Sequence, residues 1–134
     1  MIRLGLRENK TAFRPGETIA GAVLWEFEKA PQLAEVRLLW FTRGKGTEDG
    51  ETIATVKFDA PPPADTREFS FEAPDEPYSF SGTLIALIWA VEFVAKPGSE
   101  FERMEITIAP DAREIVLPRI AQPKRGVIGL RPGS

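Results

Sequence analysis

The chain predicts an all-β sandwich, and three observations carry that prediction. Short alternating apolar segments recur about every ten residues between proline and glycine clusters. No segment longer than a turn shows helical spacing of its apolar residues. The longest apolar run, residues 84–95, is rich in β-branched and aromatic side chains and carries one charge, Glu92.

Taken in order, Ile2, Leu4 and Leu6 alternate with Arg3, Gly5 and Arg7 as a first strand. Glu8-Asn9-Lys10 is a turn. Phe13-Arg14-Pro15-Gly16-Glu17 is a second, and its Pro-Gly centre fits type II, with Gly16 at positive φ. Residues 18–27 form the next strand, with Ile19, Val23, Trp25 and Phe27 on one face. Gly21 on that face predicts a bend or a close backbone approach. After Lys29-Ala30-Pro31-Gln32 comes the strand 33–43, with Val36, Leu38 and Trp40 on one face and Leu39 and Phe41 on the other. Residues 44–51 are a polar, glycine-rich hairpin loop. They lack the spacing of a phosphate-binding loop, and no helix follows.

Residues 53–59 read as a strand with Val56 and Phe58 inward, and Ala60-Pro61-Pro62-Pro63-Ala64-Asp65 as a stiff connector. Residues 66–72 alternate through Phe69 and Phe71. Pro77-Tyr78-Ser79-Phe80-Ser81-Gly82 has the chemistry of an ordered corner, since proline presets φ and the serine hydroxyls bond nearby backbone. It opens into the central run. Ile85, Leu87, Trp89, Val91 and Phe93 share one face of that run, and Leu84, Ala86, Ile88, Ala90 and Val94 the other. A strand with two apolar faces is buried on both sides, or has one face against a partner. Lys96-Pro97-Gly98-Ser99 is a turn. Residues 101–108 then set Met104, Ile106 and Ile108 against Arg103, Glu105 and Thr107. Ile115-Val116-Leu117 is a last short strand. The expected division is a sandwich over 1–114 and a basic, proline-containing tail over 115–134.

The 134 residues suffice for one domain with a hydrophobic core. They contain no cysteine and no histidine, which removes disulfides, thiolate zinc sites, cysteine nucleophiles, the usual triad and histidine-ligated metals. The N-terminal residues lack the apolar core of a signal peptide, so the default compartment is the cytoplasm. Residues 1–114 carry 13 basic and 20 acidic side chains, a net of −7; residues 115–134 carry Arg119, Lys124, Arg125 and Arg131 and no acid, a net of +4. The acidic body argues against a nucleic-acid partner.

Two of the turns resemble signatures of the arrestin-like superfamily. Phe13-Arg14-Pro15-Gly16-Glu17-Thr18-Ile19-Ala20-Gly21 is similar to the aromatic-x-Pro-Gly-Glu-x-hydrophobic-x-Gly pattern at the second strand of the arrestin N-terminal domain. Pro77-Tyr78-Ser79-Phe80-Ser81-Gly82, followed by Trp89-Ala90-Val91-Glu92, is similar to that domain's Pro-x-Ser-aromatic-x-Gly turn and hydrophobic strand. The resemblance covers residues 1 to about 110, one domain where classical arrestins have two. It implies an immunoglobulin-like sandwich and a non-catalytic, protein-binding role. The polar core and the phosphate-sensing residues of the receptor-binding members have no assigned counterpart here.

The candidate sites follow from these readings. Glu72, Asp75 and Glu76, and Asp49 with Glu51, are carboxylate clusters without the spacing of a calcium loop, so no metal, cofactor or catalytic residue is assigned. Trp25, Trp40 and Trp89 would have to be exposed to form a sugar-stacking platform, the basis of the alternative reading as a carbohydrate- or small-ligand-binding module; their alternation puts them on core faces. The partner-binding residues are placed in the tail: Ile115, Val116, Leu117, Arg119, Lys124 and Arg125. Apolar strings there, including Val127-Ile128-Gly129-Leu130, suit strand addition to a sheet edge, in the same chain or in a homodimer. The expected function is an adaptor or scaffold for a protein partner, with a membrane-surface role through the basic tail ranked lower.

Overall fold

The computed structural model describes residues 1–44, 49–82, 84–97 and 100–116. Among the described residues ten strands follow one another: β1 (Ile2–Leu6), β2 (Ala12–Phe13), β3 (Thr18–Glu26), β4 (Leu33–Gly44), β5 (Gly50–Lys57), β6 (Ala64–Glu72), β7 (Phe80–Ser81), β8 (Ile85–Lys96), β9 (Glu100–Ile108) and β10 (Ile115–Val116). Among the described residues the helical content is one 3-10 turn, Arg7–Asn9, with Glu8 and Asn9 at positive φ. It stands where a simple turn was expected. No helix among the described residues is long and apolar enough to cross a membrane.

The strands make two sheets. One has three strands in the order β1-β3-β6. The other has seven and centres on β8, which pairs with β4 along one edge and with β7 and then β9 along the other. β5 lies outside β4, β10 outside β7, and β2 outside β9. Six of the eight pairings are antiparallel; the two parallel ones, β2 with β9 and β10 with β7, span two residues each. Both are therefore edge attachments to an antiparallel framework rather than parallel-sheet architecture.

The core lies between the sheets and follows the alternation of the sequence. Ile19, Val23 and Trp25 of β3 are fully buried, as are Val36 and Leu38 of β4 and Trp89, Val91 and Phe93 of β8. Trp25 stacks on Phe93 of the opposite sheet, with ring centroids 5.4 Å apart, and on Phe58 at 5.9 Å. Its Nε1 donates to the Pro62 carbonyl at 2.9 Å, so the proline connector satisfies the one polar atom of a buried indole. Trp40 packs half-buried against the core, directly opposite Trp89 in the β4–β8 register.

Both faces of β8 are buried, one of the two outcomes its apolar faces allowed. The face away from the core carries Ile88, Ala90, Glu92 and Val94, none more than 8% exposed. Long side chains of the same sheet roof this face. The Arg43 and Arg103 guanidinium groups lie over the Phe41 ring at 5.4 and 4.9 Å. Arg43 pairs with Glu105 at 2.6 Å, and Arg103 with Glu92 at 3.0 Å. Arginine stems cover apolar surface while their charged heads stay paired or wet.

The glycines singled out by sequence serve two different needs. Gly16 lies at φ +88°, and Glu17 N–H donates to Arg14 C=O at 3.0 Å, which closes the type II turn. Gly21 faces β1 so closely that a Cβ there would lie 2.2 Å from the Gly5 carbonyl oxygen. The glycine in mid-strand thus permits a close backbone approach, one of the two expected outcomes.

Candidate partner-binding edge

The corner over residues 77–82 is built around Ser79, which is 2% exposed. Its Oγ accepts the Ile108 N–H at 3.0 Å, and its own N–H donates to the Ile108 carbonyl at 2.8 Å. Its carbonyl accepts the Ile115 N–H at 3.2 Å. One serine therefore ties the end of β9 and the start of β10 to β7. Trp89 Nε1 donates to the Pro77 carbonyl at 2.8 Å, which fixes the corner to the core. Ordering of this corner by serine hydroxyl contacts was legible in the sequence; its second half forming the strand β7 was not.

Ile115 and Val116 pair in parallel with Phe80 and Ser81. The attachment is made by the main chain, and the two side chains remain 38% and 74% exposed. Leu84, at 61%, and Ile85, at 39%, stand at the same corner, where Gly82 N–H donates to the Ile85 carbonyl at 3.0 Å. Four of the eight exposed large apolar side chains among the described residues thus gather at the β7–β10 end of the sheet. Of the other tail residues singled out by sequence, Leu117, Arg119, Lys124 and Arg125 lie outside the described residues, as does the string 127–130.

Beside this edge, where β7 and β9 share one flank of β8, an open notch of about 360 Å³ is lined by Thr11, Ser81, Ala86, Glu105, Thr107 and Glu114, among others. Sequence reasoning missed it because its residues come from five separate segments, none with a motif of its own.

The other sequence candidates scatter. Glu72, Asp75 and Glu76 are exposed and make no shared site; Asp49 and Glu51 belong to the β4–β5 hairpin, where Asp49 N–H donates to Thr42 Oγ1 at 2.9 Å. Residues 45–48 of the expected glycine-rich loop lie outside the described residues. No group of three metal-ligating side chains converges among the described residues. Trp25 and Trp89 are fully buried, so the three tryptophans form no surface platform. Two carboxyls are held below their ordinary values: Glu17 by the Arg14 backbone N–H and Lys10, and Asp65 by Arg67 and the Thr66 N–H.

No family model matches the chain, and a search of curated proteins finds no match. Among solved structures the chain is similar to Spo0M, a sporulation control protein from Bacillus subtilis, with a TM-score of 0.57 and 15% identity over 81% of this chain and 48% of that one. At that identity the likeness concerns the fold. The fold of this chain is an arrestin-like β-sandwich, and the chain spans about half the length of the protein it resembles.

Proposed function

We propose that this chain is a non-catalytic adaptor or scaffold of the N-terminal arrestin-domain type, and that it contacts a protein partner through the β7–β10 corner and the basic segment that follows. The observation that carries the reading is the gathering of Leu84, Ile85, Ile115 and Val116, exposed, at one end of a sheet edge already holding an extended strand. Exposed apolar residues that cluster mark interaction surfaces more often than scattered ones do. Leu117, Arg119, Lys124 and Arg125 continue from this corner in sequence, and their charge opposes the acidic body. The absence of histidine and cysteine from the sequence supports a role without catalysis.

The test is a pull-down with the full chain and with a chain lacking residues 115–134, folding checked by circular dichroism. A partner retained by the full chain and lost by the shortened one is expected. Retention of the same partner by both, with the fold intact, would contradict the assignment. The notch favours a second reading, a small-ligand module. A saccharide titration that shifts the Thr11, Ser81 and Thr107 amides while leaving β10 unmoved would transfer the function there.

A further inference from the structure

The turn between β9 and β10 has a conformation its sequence does not favour. Residues 109–114 carry the chain from Ile108, bonded to Ser79, back to Ile115, bonded to the same serine. A 2.9 Å hydrogen bond from Ala112 N–H to the Ala109 carbonyl closes the turn, and Ala112 sits at φ +54°. In that region the Cβ crowds the backbone, and glycine or asparagine is the usual occupant. Beyond the turn, β10 is held over two register positions, with both side chains exposed. The fold-back therefore sets local backbone strain against a short main-chain attachment.

We propose that β10 exchanges between two copies of this chain. The turn at Ala112 opens, and Ile115–Val116 of each copy pairs with β7 of the other in the same parallel register. The inference rests on the β7–β10 pairing that the proposed function also uses. A second copy is the occupant because it carries the one strand shown to fit this edge. Each β7–β10 hydrogen bond made within a chain is remade between chains, so the terms that change are association entropy, turn strain and the Ala112–Ala109 hydrogen bond of the opened turn. Strained hinge turns favour such exchange. Two reciprocal exchanges close a two-fold dimer in which neither β7 is left without a β10 partner.

The absence of cysteine allows a clean test. Ser81 and Val116 are register partners, so a full-length chain carrying Ser81→Cys and Val116→Cys reports where β10 lies after oxidation. A disulfide-linked dimer, increasing with protein concentration, is expected on a denaturing non-reducing gel. Ala112→Pro forbids positive φ and removes the N–H that closes the turn, and should raise the dimer fraction several-fold. Ala112→Gly accepts positive φ and should lower it. Links confined to single chains at every concentration, in the parent turn and in both variants, would overturn the exchange while leaving the pairing with β7 intact. No link of either kind would remove the pairing itself, and both proposals with it. The parent turn and Ala112→Gly carry the test if Ala112→Pro does not fold.

Discussion

Ser79 and Trp89 show how single residues hold the corner in place. A buried hydroxyl without a partner is costly, and the Ser79 Oγ accepts from Ile108 while the Trp89 indole donates to Pro77. Trp89 also fills the centre of β8 at full burial. Trp89→Ala is expected to cost about 3–5 kcal/mol, the usual loss when a large buried aromatic is emptied. A urea-denaturation loss below about 1 kcal/mol would place the ring outside the core. The two glycines predict a contrast. Space around Gly16 is open, so Gly16→Ala should lose only the left-handed strain, about 1–2 kcal/mol. Gly21→Ala puts a methyl group against the Gly5 backbone and should lose more. Equal losses in the two variants would mean that β1 moves away without cost.

At the scale of elements, two carboxylates at strand entries are held below their ordinary values by the groups beside them. Glu17 precedes β3 and accepts Arg14 N–H at 2.7 Å and Lys10 at 3.3 Å; Asp65 lies near the start of β6 and pairs with Arg67 at 2.6 Å. Their folded pKa values lie below the ordinary 4.5 and 3.8. The folded state therefore binds protons less readily than the unfolded chain. The stability they contribute is complete above the ordinary values and is lost as pH falls through the folded ones. Both side chains are about a third accessible to solvent, so the effect is small and screened by salt. Glu17→Gln should make the loss of urea stability on acidification shallower than in the parent; an unchanged pH profile would exclude the group.

The long elements were legible in the sequence because alternation over eight or more residues survives end effects. β3, β4, β8 and β9 stand within a residue or two of their expected bounds, with the expected core faces. β5 begins three residues before the expected start, because the hairpin pairing extends to Gly50 opposite Phe41. β2 and β7 were read as turn and corner: two residues cannot display a period of two, and only their partners make them strands. The roof of Arg43, Phe41 and Arg103 over β8 was likewise hidden, because its members lie far apart in the chain. At the site, sequence singled out Ile115 and Val116 but not their register with Phe80 and Ser81, nor the notch, both of which depend on long-range pairing.

At the scale of the whole molecule, one strand organises the rest. β8 contributes to the core and to the outer face of the larger sheet, and its free flank is divided between β7 and β9. That division creates both the notch and the short edge on which β10 lies. The sandwich thus offers a stable framework and an edge on which β10 is held over two register positions. The most direct measurement of this account is amide hydrogen exchange of the full-length chain, resolved by residue. Ile108 N–H, bonded to a buried serine, should be among the slowest, and Ile115 N–H, bonded to Ser79, should be clearly protected though faster than Ile108. An Ile115 amide exchanging as fast as in an unstructured peptide, with Ile108 protected, would leave the sandwich standing and contradict the claim that its β7 edge holds a strand.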